Sequence, residues 1–413
     1  MTSSPSLDWT DADVDRLLAP VARQLAAPTS LSPLPYDLNA GVPDRDSLPW
    51  AELAVAAAKA LEADPGGTLT YGGALGYEPL RGWIAQRYAA ETGLPLTPEW
   101  VTLTSGSAHA IDNIAATFLA AGDVVAMGAP TYPGAIRTFR ARGAHIVTAP
   151  QDSQGLEMRT LAAALERQQA AGAPVKLIYV VANYDNPTGT TLSGGRREEL
   201  AGLAALHRAL IVEDDAYTGI DLEGPPPTSL FQIAGGAGIL RVGTFSKTIA
   251  TGLRCGWILA APAVIRALTY MRFDNGSSPF VQRTVYEYLQ TGVYDAHVAR
   301  LRSIYRERRD AAVNALRECC DEYISFEAPA GGFFLWLRLA DGLDARAVAE
   351  AAAALGVAVT PGPTYYADGG GDQRLRLVYS ALPPDRLHKA ISLLGRACAQ
   401  VGSLSSDGGK RRQ

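Results

Sequence analysis

The sequence contains few charged residues, few cysteines and almost no lysine. Charged residues make up 19% of the 413 residues and hydrophobic residues 47%, which excludes a disordered chain or a coiled coil. The formal net charge of −5 argues against general binding to nucleic acid or to an anionic membrane. Four cysteines are too few for a disulfide framework, and the pair Cys319–Cys320 has no second pair at zinc-ligand spacing. We therefore expect free thiols in a reducing compartment and no metal site.

Long apolar runs are also missing. No stretch of about 18 apolar residues is present, and the first residues are not a basic segment followed by an apolar core. We therefore expect a soluble, cytoplasmic protein without a membrane segment. Lysine is the rarest cation, with five residues (positions 59, 176, 247, 389 and 410) against 32 arginines. Of these five, Lys247 lies in a polar segment between glycines, where solubility alone does not require a lysine.

The spacing of apolar runs predicts the fold class. Short apolar runs at 178–181, 210–212, 240–242 and 257–260 are bounded by Gly, Pro or Asp, and an amphipathic helix is predicted at 194–206 between the first two. Short buried strands that alternate with helices predict an α/β domain with a mainly parallel sheet. Ligands of such sheets bind at the carboxyl ends of the strands.

From about residue 285 the pattern changes to one long helix at 286–320, followed by short strands and a helix at 345–355, which predicts a smaller α+β domain. We therefore divide the chain into an N-terminal arm (1–35) with a short helix at 14–25, a large domain (36–290) whose first part contributes to the small domain, a small domain (291–402) and a disordered tail (403–413).

Lys247 follows the predicted strand 240–242 and precedes Arg254 by seven residues. An exposed loop lysine fits poorly between two apolar strands. Partial desolvation and a nearby guanidinium group both lower the pKa of a lysine towards that of a nucleophilic amine. Thr244, Ser246 and Arg254 offer hydroxyl and guanidinium donors to a phosphate dianion. A lysine beside a phosphate site is the pairing that holds pyridoxal phosphate as a Schiff base.

Other polar residues follow predicted strands. The acidic residues Glu213, Asp214 and Asp215 come at the end of a strand, where a carboxylate can contact a pyridine nitrogen. A Ser/Gly loop at 104–109 opens an apolar helix and presents backbone N–H groups to an anion. Arg374 and Arg376 alternate on one face of a strand, so both could point into a cleft, although Arg374 could equally pair with Asp372.

The segment Ser246–Gly256 resembles the Ser-Lys-x-x-x-Pro-Gly-Leu-Arg-x-Gly signature of class I/II aminotransferases, with Thr251 in place of the family's proline. Further motifs of this family follow in order across roughly residues 36–400. The resemblance implies PLP fold type I (aspartate-aminotransferase-like) and pyridoxal 5'-phosphate as cofactor. It also implies a homodimer with shared active sites that moves an amino group between an L-amino acid and a 2-oxo acid through a Lys247 Schiff base.

The resemblance also assigns roles to single residues. It places Asp214 at the pyridine nitrogen, with a one-residue slip to Asp215 or Glu213 left open, and Asn186 and Tyr217 at the phenolic oxygen. The further cofactor contacts that it implies are Gly106, Ser107, Ala108, Tyr132, Thr244, Ser246, Arg254 and, from the neighbouring subunit, Tyr71. For the substrate it implies Arg376 at the α-carboxylate, with contacts from Gly41, Asn186 and Tyr365.

Several departures from the family pattern keep other reactions open. They include Thr251, the pair Ala108–His109 and the pair Tyr184–Asp185. The alternative is a lyase, a β/γ-replacement enzyme, a cyclising enzyme or an oxidase of natural-product biosynthesis, because all of these form a carbanion at Cα with the same cofactor. A DNA-binding regulator on this fold is disfavoured by the acidic charge. The substrate side chain stays open: Arg374 allows a dicarboxylate, and Tyr36, Tyr365 and Tyr366 allow an aromatic side chain.

Overall fold

The computed structural model describes residues 9–24 and 33–410, with side chains as far as Ser403. The helices are α1 (Asp11–Leu17), α2 (Pro20–Gln24), α3 (Trp50–Ala63), α4 (Pro65–Leu69), α5 (Glu78–Thr92), α6 (Ser107–Phe118), α7 (Pro133–Ala141), α8 (Met158–Ala170), α9 (Gly194–His207), α10 (Leu230–Ile233), α11 (Pro262–Thr269), α12 (Pro279–Gln290), α13 (Tyr294–Cys320), α14 (Ala345–Ala354) and α15 (Pro384–Lys410). Within the described ranges, no helix is both long and apolar enough to cross a bilayer.

The strands are β1 (Tyr36–Asp37), β2 (Val101–Thr104), β3 (Val124–Ala129), β4 (His145–Asp152), β5 (Gly155–Leu156), β6 (Val175–Val181), β7 (Leu210–Asp214), β8 (Ile239–Thr244), β9 (Gly256–Leu259), β10 (Ile324–Ser325), β11 (Phe334–Leu339), β12 (Val357–Ala358), β13 (Thr360–Pro361) and β14 (Arg374–Val378). The predicted strands at 178–181, 210–212 and 240–242 lie inside β6, β7 and β8, and the predicted helix at 194–206 lies inside α9.

The large sheet has the strand order β2-β9-β8-β7-β6-β3-β4-β5. Strands β4, β3, β6, β7 and β8 pair in parallel, whereas β9 runs antiparallel to both of its neighbours and β5 runs antiparallel to β4. The central strands are buried almost throughout, because helices cover both faces of the sheet. The predicted α/β fold with a mainly parallel sheet is confirmed.

A second, four-stranded antiparallel sheet has the order β10-β11-β14-β13; α14 contacts β13 and β14, and α15 packs against α13 and α14. We call this sheet with its three helices the small domain. The N-terminal segment joins it: β1 pairs in parallel with β12, and the backbone N–H of Val378 donates to the carbonyl of Leu38 at 2.9 Å. Nearby, Arg308 of α13 donates to Asp44 at 2.6 Å in a buried ion pair. Residues 36–44 therefore lie on the small domain, although more than 300 positions separate them from β12 and β14.

Three boundaries differ from the sequence expectations. The helix expected at 286–320 is two helices, because the chain turns at Gly292, whose φ of 76° is a left-handed conformation that glycine adopts freely. The helix expected at 14–25 is split into α1 and α2 ahead of Pro20, since the residue before a proline avoids the helical conformation. At the C-terminus α15 continues to Lys410, where a tail was expected from Ser403, because an established helix gains one hydrogen bond for each added residue. Residues 1–8, 25–32 and 411–413 lie outside the described part.

Candidate active site

A cavity of about 200 Å³ opens at the carboxyl ends of β6, β7 and β8, between the large sheet and the small domain. This is the edge at which parallel sheets bind ligands. Its lining joins residues from both ends of the chain: Gly41, Ser107, Tyr132, Val181, Asn186, Asp214, Ala216, Tyr217, Lys247, Phe334 and Arg376. Most of the residues singled out in the sequence therefore meet in one place.

Lys247 follows β8, and its side chain enters this cavity. Its Nζ donates to the carbonyl of Gly41 at 2.7 Å. Desolvation, together with the positive charges of Arg376 and Arg254, lowers the pKa of Lys247 to about 8, and the negative charge of Asp214 acts in the opposite direction. Near pH 8 a large fraction of this amine is therefore neutral, and a neutral amine is the form that attacks an aldehyde carbon.

Asp214 ends β7, and its carboxylate is buried beside the cavity. Its Oδ2 accepts from the hydroxyl of Tyr179 at 2.7 Å, whereas its Oδ1 is buried with no hydrogen-bond partner among the described residues. Burial, followed by the negative charge of Asp215, raises the pKa of Asp214 to about 6. A buried acceptor without a donor costs free energy, so this oxygen fits a ligand that supplies an N–H group.

The two neighbouring acids are engaged elsewhere. Asp215 accepts from the guanidinium of Arg241 in a buried ion pair and from Asn183 at 2.9 Å. Glu213 accepts the backbone N–H groups of Leu230 and Phe231 at 2.9 and 3.0 Å. Of the three acids, Asp214 is the one that lines the cavity. The geometry thus favours Asp214 over a one-residue slip in either direction.

Donors suited to a phosphate group cluster at the start of α6. Gly106, with φ of 82°, precedes Ser107 at the first turn, where backbone N–H groups are free. Nη2 of Arg254 donates to the carbonyl of Ser105 at 3.3 Å, which brings the guanidinium to this turn. Strand β9 also packs closely against this turn and requires glycine at position 256, because a Cβ on Gly256 would lie 2.9 Å from the Cα of Gly106.

Four further residues lie in or beside this part of the site. The hydroxyl of Thr244 donates to that of Ser246 at 2.9 Å, and both side chains are buried beside the Lys247 loop. Ala108 lines the wider outer cavity described below. His109 binds the protein itself: its Nδ1 accepts the backbone N–H of Ser105 at 3.0 Å, and burial lowers its pKa. His109 therefore shapes the loop.

Arg376 is held between aromatic rings on the small-domain side. Its guanidinium lies 4.6 Å from the ring centre of Phe334 and 5.2 Å from that of Tyr365. Nη1 donates to Oδ1 of Asn186 at 2.9 Å, Nη2 donates to the carbonyl of Asn39, and Nε is buried without a partner in the described residues. This fixed, partly unsatisfied guanidinium is suited to bidentate binding of a carboxylate.

Arg374 is not among the residues that line this cavity, so of the two arginines that could point into a cleft only Arg376 does so here. It lines a separate groove with Trp336, Arg338 and Tyr366. The two arginines share one face of β14, but the strand carries them about 7 Å apart, past the edge of the cavity. Tyr36 is also elsewhere, since its ring packs against Arg386 at 5.4 Å.

A wider outer cavity of about 540 Å³ continues from the inner one. The two share Gly41, Tyr132, Asn186 and Arg376, and the outer one adds Asn39, Ala40, Val42, Ala108, Pro133, Gly134, Arg137, Thr138, Thr360, Thr364 and Tyr365. Of these residues, Arg137 was not predicted from the sequence. The signal available was its place in α7, one turn after Tyr132.

A buried polar cluster lies behind the inner cavity, and it was not predicted from the sequence. Nε2 of Gln151 donates to the carbonyl of Pro130 and to Oδ2 of Asp185 at 3.1 Å, and Thr188 donates to the same oxygen at 3.0 Å. Burial raises the pKa of Asp185 to about 7. Gln151 thus ties the loop that precedes Tyr132 to the loop that carries Asn186.

Two features lie away from this cavity. Tyr71 is 84% exposed on the surface and is not part of its lining. On the small domain, ligand atoms of Glu318, Cys319 and His388 lie within 4.8 Å of one another on α13 and α15, where the sequence spacing suggested no metal site. The ring of His388 is bonded to Glu318 at 3.1 Å.

Comparisons with known proteins agree with this geometry. Residues 35–394 match the family model described as aminotransferase class I and II. The chain is 31% identical to the 2-aminoadipate transaminase of Thermus thermophilus over 95% of this chain and 97% of that protein. It is also 31% identical to aromatic-amino-acid aminotransferase 1 of Thermococcus litoralis, over 86% of each chain.

Among solved structures, the chain is similar to LysN, the α-aminoadipate aminotransferase of Thermus thermophilus, crystallised with N-(5'-phosphopyridoxyl)-L-leucine. The TM-score is 0.84 and the identity 29%, with 95% of this chain and 97% of that chain covered.

Proposed function

The chain belongs to the class I and II aminotransferase family, and we propose that Lys247, Asp214 and Arg376 carry out its reaction in the inner cavity. The protein is an aminotransferase of PLP fold type I that uses pyridoxal 5'-phosphate to move an amino group between an amino acid and a 2-oxo acid. When bound, this cofactor supplies an electron sink for negative charge at the substrate Cα.

The observation that carries the assignment is the convergence of three unlike groups on one cavity. They are an amine whose pKa is lowered to about 8, a buried carboxylate with an unpartnered oxygen, and a guanidinium with an unpartnered Nε. Lys247 would hold the cofactor as a Schiff base, and Oδ1 of Asp214 would accept the ring N–H. The other groups that would hold it are Tyr132 at the ring face, Asn186 and Tyr217 at the phenolic oxygen, and Gly106, Ser107, Ala108, Thr244, Ser246 and Arg254 at the phosphate.

Arg376 binds the α-carboxylate of the substrate and thereby orients its Cα towards Lys247. Once its amine is free, Lys247 takes the proton from Cα, and its lowered pKa suits this task because a general base works best with a pKa near the working pH. Phe334 and Tyr365 pack against the guanidinium of Arg376 and keep water from that side of the carboxylate. The carbonyl of Gly41 accepts a hydrogen bond from Nζ of Lys247, and Gly41 lies on the side of the amine where the substrate binds.

The proposal includes a homodimer in which Tyr71 contacts the cofactor phosphate of the partner subunit. Its support is the exposure of Tyr71 together with other large apolar side chains, namely Trp50, Leu69, Tyr270 and Phe273, each more than 70% exposed in the single chain. Surfaces of this kind mark interfaces between proteins.

Within each subunit we propose a large domain over residues 36–290, a small domain over 291–402 and an arm before them. The four cysteines are free, which supports a cytoplasmic location.

The experiment that tests the function treats cofactor-loaded protein with single amino acids in the absence of any 2-oxo acid. Aminotransfer predicts stoichiometric formation of pyridoxamine phosphate and one 2-oxo acid, measured by absorbance and mass spectrometry. Release of ammonia, or a product with a new bond, would favour the lyase or replacement alternative. Borohydride should fix the cofactor to Lys247 in peptide maps. Lys247→Ala should lose the attachment and the activity, whereas Lys176→Ala, which removes a surface lysine paired with Asp123, should keep both.

A further inference from the structure

We propose that the amino-acid substrate carries a second negative charge at the end of its side chain, and that Arg137 binds that charge. The proposal rests on the function proposed above, because it assigns the outer cavity to the substrate side chain. The relevant wall is helix α7, which begins directly after Tyr132 and carries Arg137 into the outer cavity.

The position of the outer cavity makes it the place for a substrate side chain. Arg376, Asn186, Gly41 and Tyr132 line both cavities, so a molecule whose carboxylate is bound by Arg376 extends directly from one into the other. Arg137 lies on the outer part of this path, and the volume of about 540 Å³ accommodates a side chain of several atoms.

The charges on this wall are not balanced by the protein. The lining of the outer cavity includes two arginines, Arg137 and Arg376, and none of the lining residues is acidic. The other arginines at this helix do have partners: Arg140 donates to the carbonyl of Ala367, and Arg142 donates to Asp112 at 2.7 Å. Within the described part of the chain, Arg137 makes no ion pair or hydrogen bond. Two cations facing one cavity attract a molecule with two anionic groups.

The other polar groups of the wall favour an anionic end over an apolar one. Thr138, Thr360 and Thr364 line the cavity together with Arg137 and offer hydroxyl donors to an oxygen anion. An apolar or aromatic side chain that filled this space would cover the half-buried guanidinium without satisfying it, which costs binding free energy. A carboxylate can instead accept two parallel N–H bonds from the same guanidinium.

Arg374 does not supply this charge to the cavity. It lines the separate groove with Arg338, Trp336 and Tyr366, on the other side of the wall that Tyr365 helps to form. Removal of Arg374 should therefore leave the preference for an acidic side chain unchanged, and this separates the two arginines by experiment.

The test compares amino acids matched in length that differ in the charge of the side chain. The pairs are glutamate with glutamine and 2-aminoadipate with norleucine, and homocysteate carries a sulfonate in place of a carboxylate. The wild-type protein should prefer the acid of each pair. In Arg137→Gln, kcat/KM for the acids should fall by about 10- to 100-fold, mostly through KM, while neutral amino acids should change by less than about threefold. Arg137→Lys should recover part of the loss.

The matched control is Arg142→Gln, which removes the same charge from the end of the same helix, outside the cavity. It should leave the ratio of acid to neutral substrate unchanged. Equal use of acid and neutral partners by the wild-type protein, or an equal loss of both in Arg137→Gln, would overturn the proposal. If homocysteate is preferred over glutamate, the anion recognised is a sulfonate and not a carboxylate.

A second measurement uses the wild-type protein and does not depend on turnover. Glutarate and adipate should inhibit or thermally stabilise the wild-type protein at concentrations at least about tenfold lower than pentanoate and hexanoate do. Equal effects of the two sets would overturn the inference even if aminotransfer were observed. If no amino acid converts the cofactor but dicarboxylates still bind selectively, the function proposal fails, and the assignment to Arg137 stands if Arg137→Gln loses that selectivity.

Discussion

Asn186 and Arg376 meet across the cleft, with Nη1 of Arg376 2.9 Å from Oδ1 of Asn186. Asn186 lies in the loop after β6 of the large sheet, and Arg376 lies on β14 of the small domain. The bond therefore joins a side chain proposed to contact the cofactor to the side chain proposed to bind the substrate carboxylate. It fixes the direction of the guanidinium relative to the large sheet.

The first prediction separates Arg376 from its neighbour on the same strand. Arg376→Gln should lower kcat/KM for every amino acid by at least about 100-fold, because an α-carboxylate then loses its bidentate partner. Arg374→Gln should change kcat/KM by less than about threefold, since Arg374 lines the other groove. Steady-state kinetics with both variants checks this, and a comparable loss in the two would contradict the separation.

The second prediction concerns the pH dependence of cofactor capture. Burial and the charge of Arg376 lower the pKa of Lys247 from 10.5 to about 8. The rate at which cofactor-free protein binds pyridoxal phosphate should therefore rise with pH and level off above about 8, because the neutral amine is the reactive form. Stopped-flow absorbance measures the rate, with a free lysine derivative run in parallel to correct for titration of the cofactor itself.

The same experiment on Arg376→Gln tests the direction in which Arg376 shifts the pKa of Lys247. Removal of a positive charge stabilises the protonated amine, so the midpoint should move to higher pH. A midpoint near 10.5 in the wild-type protein would argue that Lys247 is solvated rather than desolvated.

The third prediction is that Asp214→Asn stabilises the cofactor-free protein while it reduces activity. The folded pKa of Asp214 is raised from 3.8 to about 6, so its contribution to stability is complete below about pH 4 and is lost as pH rises through 6. At pH 8 the substitution should therefore add up to about 3 kcal/mol to the free energy of unfolding. Thermal melts between pH 5 and 8 should show this pH dependence in the wild-type protein and a weaker one in the variant.

Asp215→Asn is the control with the opposite sign. Asp215 pairs with buried Arg241, which together with hydrogen bonds lowers its pKa, and its loss leaves that guanidinium without its closest partner. This variant should be destabilised by several kcal/mol. Destabilisation of Asp214→Asn to a similar extent would refute the view that the unpartnered Oδ1 strains the protein in order to bind a ligand.

The fourth prediction tests whether the active sites are shared. Lys247→Ala and Tyr71→Ala, carrying different tags, are coexpressed and the mixed dimer is purified. If Tyr71 reaches the partner's site, one of the two sites in the mixed dimer has both residues, and about half of the wild-type activity should return. The Lys247→Ala parent should be inactive, and the Tyr71→Ala parent should be weakly active at limiting cofactor. A mixed dimer no better than the mean of its parents would show that Tyr71 does not reach the site of the partner subunit.

The sequence predicted the parts of the fold that depend on local pattern. Buried runs bounded by Gly, Pro or Asp located β6, β7 and β8, and the residues that follow them at the same sheet edge were grouped correctly into one cavity. The choice of Asp214 over its two acidic neighbours needed the structure. It depends on partners far along the chain, such as Arg241 and the backbone of α10.

The features that were not predicted all depend on how distant parts of the chain pack together. Strand periodicity put Arg374 and Arg376 on one face correctly, but it could not indicate that the cavity ends between them. Arg137 was missed because the sequence of α7, a helix of nine residues, does not indicate which of its sides faces the cavity. That side is determined by how the helix packs in the fold. The contact between Gln151 and Asp185 was missed because it joins two loops, and loop contacts leave no periodic signal.

The position of residues 36–44 bears on how the chain folds. Leu38 accepts its hydrogen bond from Val378, and Tyr36 pairs with Val357, so β1, the first strand in the described part of the chain, is completed by some of the last residues to be synthesised. Contacts of such long sequence separation form late and slowly. During translation this segment, which carries Gly41, must wait until nearly the whole chain has left the ribosome. A premature stop before residue 357 would thus leave the mouth of the site unassembled even where the large sheet is complete.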